Sequence, residues 1–311
     1  MLEKLKKQIL SSPLIRFLIL LSKKLVIPGF EGMPLFDVSS FFIKGIQNGS
    51  LTTRASSLAF KFFLAIFPSI IFLITLIPYI PIDNFQDQLL ILLKDILPKN
   101  AYEATRETFE DLVKHQRGDL LSFGFLFALY LATDGIHAMI NAFNKSNQSK
   151  ETRSMWKIRG ISVLLVFILT FLILIAIALI VFSGVALDYL VSKHLLVDSL
   201  TIYILLIGKW LVILGLFFCA FSFLYYLGPD QKLKWKFISA GSTFATFMAI
   251  LGSLGFSFYV NHFGNYNKLY GSIGTLIVIM LWIYFNSIII LLGFELNASI
   301  HSAKLNRKVE Y

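Results

Sequence analysis

Residues 161–186 read ISVLLVFILTFLILIAIALIVFSGVA and contain no Asp, Glu, Lys or Arg. A helix that crosses the hydrocarbon core of a bilayer needs about 20 predominantly apolar residues, and this stretch exceeds that length. A helix also satisfies its backbone hydrogen bonds internally, which lipid requires. The stretch therefore predicts a transmembrane α-helix.

Five further stretches have a similar length and composition. They cover residues 55–80, 120–143, 202–227, 237–260 and 273–300. Hydrophobic residues make up 57% of the 311-residue chain and charged residues 15%, whereas about a quarter of an ordinary soluble domain is charged. The predicted fold is an all-α integral membrane protein, with six transmembrane helices in a domain spanning residues 54–300.

The segment before this domain, residues 1–53, contains two shorter amphipathic stretches. Residues 14–21 and 36–47 are too short to span a bilayer, and both are typical of interfacial helices on the cytoplasmic surface. Between them lie four residues that favour a turn, Pro28, Gly29, Gly32 and Pro34.

Residues 83–119 form the longest connection between predicted spans and are patterned as one or two amphipathic helices. A solvated helical hairpin and a lid over a cavity are both compatible with this pattern. Residues 301–311 are predicted to form a cytoplasmic tail.

The distribution of basic residues predicts the orientation of the spans. The connections on one side, with both terminal segments, carry 19 Lys and Arg residues, and those on the other side carry seven. Cytoplasmic loops are enriched in Lys and Arg, so both termini are predicted to be cytoplasmic. This distribution accounts for the net charge of +10 and favours a lipid bilayer, not nucleic acid, as the partner.

Asp134 is the clearest ionisable residue within a predicted span. His137 and Asn141 follow it at helical spacing, and Tyr130 precedes it by one turn. Ionisable side chains in a membrane are costly and mark functional positions, so this polar stripe is predicted to face the bundle interior as a candidate site.

Lys61 lies in the first span, about two turns from its cytoplasmic end. It has two alternative roles that the sequence does not separate. An ion pair with Asp134 would compensate two charges at once, whereas snorkelling would carry the ammonium to the interface.

Arg54, Glu295 and Asn297 are candidate lipid or interface contacts at the cytoplasmic ends of spans. The Arg54 guanidinium suits a lipid phosphate or an acidic partner, although anchoring alone would explain it. Glu295 has three open roles: it pairs with Arg54, it pairs with a basic loop residue, or it is an interfacial carboxylate that caps a tertiary contact. Lys209, beside Trp210, has the pattern of a snorkelling lysine in an aromatic belt.

Small residues in the fifth span predict close helix packing. They are Gly241, Ala245, Ala249, Gly252 and Gly255.

No catalytic residues, cofactor or metal site are predicted. The sequence lacks a P-loop, GxGxxG, GxSxG and HExxH. Its five histidines are dispersed, and Cys219, the one cysteine, lies within an apolar run, where a buried hydrophobic role is typical.

Four segments resemble the YihY/virulence factor BrkB family, some members of which have carried a ribonuclease BN label. They are RASSLAFKFFLAIFPSI from Arg54, DGIHAMINAF from Asp134, LYYLGP from Leu224, and YGSIGTLIVIMLWIYFNSIIILLGFELNA from Tyr270. The last is the most specific, with its Leu-Trp-x-Tyr and Leu-Leu-Gly-x-Glu spacings. The resemblance implies a six-span protein of the bacterial inner membrane. Asp134 and Asn141 match residues typical of the family, whereas Lys61 stands where many relatives have an uncharged residue and His137 has no counterpart in the resemblance.

Three classes of function remain open from the sequence. A transporter- or flippase-like protein would move an amphiphilic or anionic substrate, with phospholipid headgroups or a small solute as its partner. A non-catalytic scaffold or envelope-assembly factor would use the polar residues to join helices. A membrane-embedded enzyme is the third class, although no residues suited to a nuclease are found. The sequence does not indicate an oligomeric state.

Overall fold

The computed structural model describes most of the chain, and within those residues the backbone is helical apart from turns, short loops and one isolated bridge. The described residues are 13–48, 50–79, 110–112, 114–146, 151–192, 199–230, 237–263 and 272–309.

Eight helices are named here in chain order. They are α1 Pro13–Lys24, α2 Leu35–Asn48, α3 Leu51–Leu76, α4 Gly118–Ser146, α5 Met155–Ser192, α6 Ser199–Leu227, α7 Ala240–Phe263 and α8 Ser272–Val309. A short 3₁₀ turn, Ile77–Tyr79, follows α3. Among the described residues, six helices are long and apolar enough to cross a membrane, and they are α3 to α8. The predicted all-α membrane fold with six spans is confirmed.

Several helices extend beyond the predicted apolar stretches, because a helix continues into polar turns that hydropathy does not count. Helix α8 has 38 residues and ends at Val309, so the segment predicted as a tail from residue 301 begins inside this helix. Its side chains Ile300 and Ala303 are buried against Phe30, Met33 and Val38 of the N-terminal segment.

The N-terminal segment contains the two short helices that the sequence predicts, joined by a tight turn. Gly29 and Gly32 have φ angles of 94° and 82°, a region that glycine adopts without steric cost. An isolated bridge between Val26 and Pro34 closes the turn. Most of the predicted external segment, residues 83–109 and 113, lies outside the described residues.

The chain forms two compact units. One comprises Met1–Ala59 with Ile136–Tyr311, and the other comprises Phe60–Gly135. In the smaller unit, α3 packs against α4 where glycine allows close approach. A Cβ on Gly135 would lie 2.9 Å from the Phe62 ring, and Gly124 lies against the backbone of Phe72.

In the larger unit, α7 packs against α8 through the small residues that the sequence singles out. A Cβ on Gly241 would lie 2.1 Å from the Gly293 carbonyl oxygen, and one on Gly252 would lie 2.6 Å from the Phe285 ring. Ala245 and Ala249 are buried in the same helix. Gly255 differs, because a Cβ there would meet no atom of the described residues within 4 Å.

We expect Gly241→Ala and Gly255→Ala to have opposite effects. The first substitution places a methyl group against backbone, and overpacking of this kind costs about 1–3 kcal/mol. The second substitution places a better helix former in open space, and we expect it to raise the free energy of unfolding by about 0.5–1 kcal/mol. Unfolding of the two variants and the wild type in the same detergent measures the difference. Equal destabilisation by both would contradict the close α7–α8 contact.

Candidate functional site

Arg54 lies in the first turn of α3 and is buried, with 6% of its side chain exposed. Its Nη1 donates a hydrogen bond to the carbonyl oxygen of Ala142 in α4, at 2.8 Å. Its Nη2 lies 3.6 Å from Oε2 of Glu295 in α8, whose side chain is 3% exposed. One guanidinium thus joins the ends of three spans within the larger unit.

Helix α2 contributes a glycine to the same place. A Cβ on Gly45 would lie 1.8 Å from Oε1 of Glu295, so α2 approaches the Glu295 carboxylate as closely as only glycine permits. Val38, two turns earlier in α2, is buried against α8. Helix α2, predicted to be interfacial, is therefore packed along α8.

Asn297 also serves a helix end. Its Oδ1 accepts a hydrogen bond from the backbone N–H of Gly241 at 2.7 Å, and its Nδ2 donates to Ser239 Oγ at 2.9 Å. The first N–H groups of a helix lack partners within the helix, and Asn297 provides a hydrogen-bond acceptor for one of these groups in α7. Its role in the structure is to cap that helix.

We expect Glu295→Gln to destabilise the protein strongly, because the Arg54 charge would remain buried without its carboxylate. Removing one partner of a buried ion pair typically costs about 3–5 kcal/mol. Lys304→Gln is the matched control, since its ion pair with Glu31 is partly exposed and exposed pairs contribute about 0–1 kcal/mol.

Unfolding in detergent measures both variants. A loss for Glu295→Gln no larger than that for Lys304→Gln would show that Glu295 does not compensate the Arg54 charge.

A second ion pair lies in the smaller unit. Lys61 Nζ donates to Asp134 Oδ2 at 2.7 Å, and this contact joins α3 to α4. The structure thus contains the pairing that the sequence left open against snorkelling. Unlike the Arg54–Glu295 pair, these side chains are 34% and 31% exposed, so the protein buries this pair only in part.

The other members of the polar stripe on α4 are placed differently from the expectation. Tyr130 is 55% exposed, Asn141 is exposed and His137 is half-buried. The buried face of α4 is made by other side chains, namely Thr133, Ile136, Ile140 and Phe143. The stripe therefore lies to one side of the packed face and does not point into it.

A polar network outside the spans joins two of the short connections. Thr152 donates from its N–H and its hydroxyl to Asp230 Oδ2, each at 2.7 Å, and Arg153 Nη2 donates to the carbonyl oxygen of Gly228 at 2.8 Å. Burial alone would raise the pKa of Asp230, but the Thr152 hydrogen bonds and the nearby Arg153 charge lower it below its usual value. Asp230 is therefore ionised at neutral pH.

The same network includes Asn144, whose Oδ1 accepts from the N–H of Asp230 at 3.1 Å. It thus joins the end of α4, the start of α5 and the end of α6. Sequence reasoning counted Arg153 only as a basic loop residue and missed the network. The sequence did contain a signal for this network. Asn144, Glu151 and Asp230 can hydrogen-bond to one another, and they lie in two connections that are predicted on the same side of the membrane.

The larger unit also has an open apolar groove of about 440 Å³ between α3 and α8. Its lining residues are Ser56, Ala59, Leu276, Ile277, Met280, Leu281 and Tyr284. The Ser56 hydroxyl donates to the carbonyl oxygen of Thr52 in its own helix. The groove thus has the chemistry of a site for a hydrocarbon chain.

Two other residues noted in the sequence have local roles. Lys209 Nζ lies over the Trp210 ring, 5.8 Å from its centroid, and Cys219 is a half-buried free thiol. Within the described ranges, no group of three or more His, Cys, Asp or Glu side chains is arranged to bind a metal ion.

Comparisons with known proteins agree with this architecture. Residues 42–310 match the family model for virulence factor BrkB. The chain is 35% identical to the ribonuclease-like protein YfkH of Bacillus subtilis over 252 residues, covering 81% of this chain and 90% of YfkH.

Membrane proteins named UPF0761 are also similar. The protein from Tolumonas auensis is 26% identical, covering 86% of this chain and 87% of its own, and that from Vibrio campbellii is 24% identical, covering 84% and 81%. No solved structure matches. Because the family model covers most of the chain, the protein belongs to the virulence factor BrkB family of membrane proteins.

Proposed function

We propose that this protein is a transporter- or flippase-like protein of the bacterial inner membrane that handles an amphiphilic or anionic substrate. The observation that carries the proposal is the ion pair between Lys61 and Asp134. It lies within two membrane-spanning helices, yet about a third of each side chain is exposed.

The exposure of the Lys61–Asp134 pair distinguishes it from an ion pair that has only a structural role. Ionisable groups in transmembrane helices usually face the bundle interior or a water-filled cavity, and the Arg54–Glu295 pair shows how completely this protein can bury charge. Exposed charges in hydrocarbon would be costly. An accessible Lys61–Asp134 pair is therefore best explained by water or a polar ligand at that face of the protein.

Neighbouring polar side chains support this interpretation. Tyr130 and Asn141 are also exposed on α4, and a hydroxyl and an amide both hydrogen-bond to water or to the polar part of a solute. To bind an anionic group, the Lys61 ammonium would exchange its Asp134 partner for that group.

The apolar groove supports an amphiphilic substrate by a separate argument. Its lining is almost entirely hydrocarbon, so it suits an acyl chain and not a sugar or a nucleotide. A protein that handles an amphiphile needs surfaces for both apolar and charged parts, and this chain has both kinds.

The orientation is part of the proposal. The Asn144–Asp230 and Thr152–Asp230 contacts support a common side for the connections after α4 and α6. The sequence assigns the excess of basic residues to that side, so we propose that it faces the cytoplasm. Both termini would then be cytoplasmic.

We also propose that the protein is not a nuclease. The similar protein YfkH is named ribonuclease-like, but the sequence of this chain has none of the phosphate- or metal-binding motifs considered above. A ribonuclease assay on the purified protein, with and without divalent cations, would test this part directly.

Reconstitution in liposomes tests transport. We expect the wild type to move a fluorescent phospholipid or a labelled organic anion faster than empty vesicles. Asp134→Asn and Lys61→Gln should each reduce the rate by at least about tenfold, if the pair contributes the 1.4 kcal/mol or more that a tenfold change represents. Lys209→Gln, which removes another lysine from a span, is the matched control and should retain the wild-type rate.

A wild-type rate equal to that of empty vesicles would overturn the proposal for the substrates tested. Equal loss in all three variants would show that the effect is not specific to the ion pair.

A scaffold or envelope-assembly function is the second candidate. It is favoured by the buried Arg54–Glu295 pair and by the network around Asp230, because both join several helix ends. If the protein is a scaffold, cells that carry Asp134→Asn would behave like wild-type cells. Cells that carry Glu295→Gln would behave like cells that lack the protein, because this variant would be unfolded.

A further inference from the structure

Helix α1 presents an apolar surface that the rest of the described protein does not cover. Phe17, Leu20 and Leu21 lie on one face of the helix and are 64%, 60% and 49% exposed. Leu25 and Val26 continue the surface beyond the helix end and are exposed to a similar extent. We refer to these five residues as the α1 surface.

The α1 surface is attached to a packed base. The Leu35 N–H donates to the carbonyl oxygen of Leu25 at 2.9 Å, and the Val26–Pro34 bridge lies beside it. Within this turn, Phe30 and Met33 pack with Ile300 and Ala303 of α8. The end of α8 therefore supports the surface.

The length of α8 indicates what lies next to this base. Its apolar span Gly274–Arg307 has 34 residues, or about 51 Å at 1.5 Å per residue, whereas the hydrocarbon core is about 30 Å thick. A helix of this length extends past the hydrocarbon core, and Lys304 and Arg307 at the end of α8 are typical of the interface beyond that core. The end of α8 that carries Ile300 and Ala303 is therefore expected to lie near the headgroup layer of the bilayer.

The charges around the α1 surface are mainly positive. Lys23 and Lys24 are exposed at the end of α1, and the Lys23 ammonium lies 5.1 Å from the Phe36 ring centroid. Lys44 in α2 and Arg307 in α8 are also exposed. Of the acidic residues, Glu31 is paired with Lys304, and Asp37 is half-buried.

From these observations we propose that the α1 surface and its lysines form a binding site for acidic phospholipid headgroups of the membrane. Phe17, Leu20 and Leu21 enter the boundary between headgroups and acyl chains, while Lys23 and Lys24 contact lipid phosphates. An apolar helix face flanked by basic residues binds membranes in this way. Positive charge beside a bilayer adds a preference for anionic lipid.

This site is separate from the Lys61–Asp134 pair. The inference does not rest on the proposed transport, and a protein that transports nothing would still have it.

The test uses the full chain in lipid nanodiscs. Leu21→Cys, in a Cys219→Ser background that removes the one native thiol, carries an environment-sensitive fluorophore on the α1 surface. We expect a blue shift in nanodiscs that contain phosphatidylglycerol, relative to nanodiscs of phosphatidylcholine alone. High salt should reverse the shift, since the Debye length falls to about 3 Å at 1 M.

Substitution of both Lys23 and Lys24 by Gln should abolish the difference between the two lipids. Each basic residue near an anionic surface changes binding by about fivefold. The double substitution Lys145→Gln with Lys157→Gln is the control, because it removes the same charge from the end of α4 and the start of α5 and should leave the shift unchanged.

Two results would overturn the proposal. One is an emission that is the same in both lipids. The other is a shift that depends on protein concentration and not on lipid charge, which would assign the surface to contact between copies of the chain. Helix content measured by circular dichroism verifies that each variant is folded.

Discussion

The burial of Arg54 is the constraint on which the larger unit depends. A guanidinium remains charged at any pH that a folded protein experiences, so its burial requires a carboxylate and hydrogen-bond acceptors. Glu295 supplies the charge and Ala142 supplies a carbonyl oxygen. Because these partners belong to α8 and α4, the contacts of one side chain connect the ends of three helices, although Nε and Nη2 of Arg54 have no hydrogen-bond partner among the described residues. The close approach of Gly45 then positions α2 against the same carboxylate.

Other contacts extend this arrangement along the same ends of the helices. Asn297, half a turn beyond Glu295 in α8, caps α7, and Asn144, two residues after Ala142, bonds to the connection after α6. Phe294 stacks on Phe143, with ring centroids 4.3 Å apart. Charge, capping and aromatic packing thus act on adjacent residues of α4 and α8.

The sequence predicted the spans well because the property that defines them is local. Length and apolar composition belong to each stretch by itself, whereas ion pairs depend on residues far apart. Arg54 and Ala142 are 88 positions apart and Lys61 and Asp134 are 73 apart, so spacing could suggest but not establish the contacts.

The predicted orientation of the polar stripe on α4 differs from the structure for a related reason. Helical periodicity shows that Tyr130, Asp134, His137 and Asn141 share a face, but only packing decides which face is buried. The spacing of small residues is an equally incomplete guide to helix packing. Gly255 has the expected spacing, but a Cβ there would meet no neighbour among the described residues.

The central proposal is that the Lys61–Asp134 ion pair is open to water or a polar ligand, whereas the Arg54–Glu295 ion pair is closed to both. Reaction with a membrane-impermeant thiol reagent tests it most directly, using Asp134→Cys and Ser299→Cys, each in a Cys219→Ser background. Ser299 is 3% exposed and lies one turn from Glu295, so its substitution reports on the sealed region. The account predicts rapid labelling at position 134 and slow labelling at position 299. Equally slow labelling at both positions would contradict it.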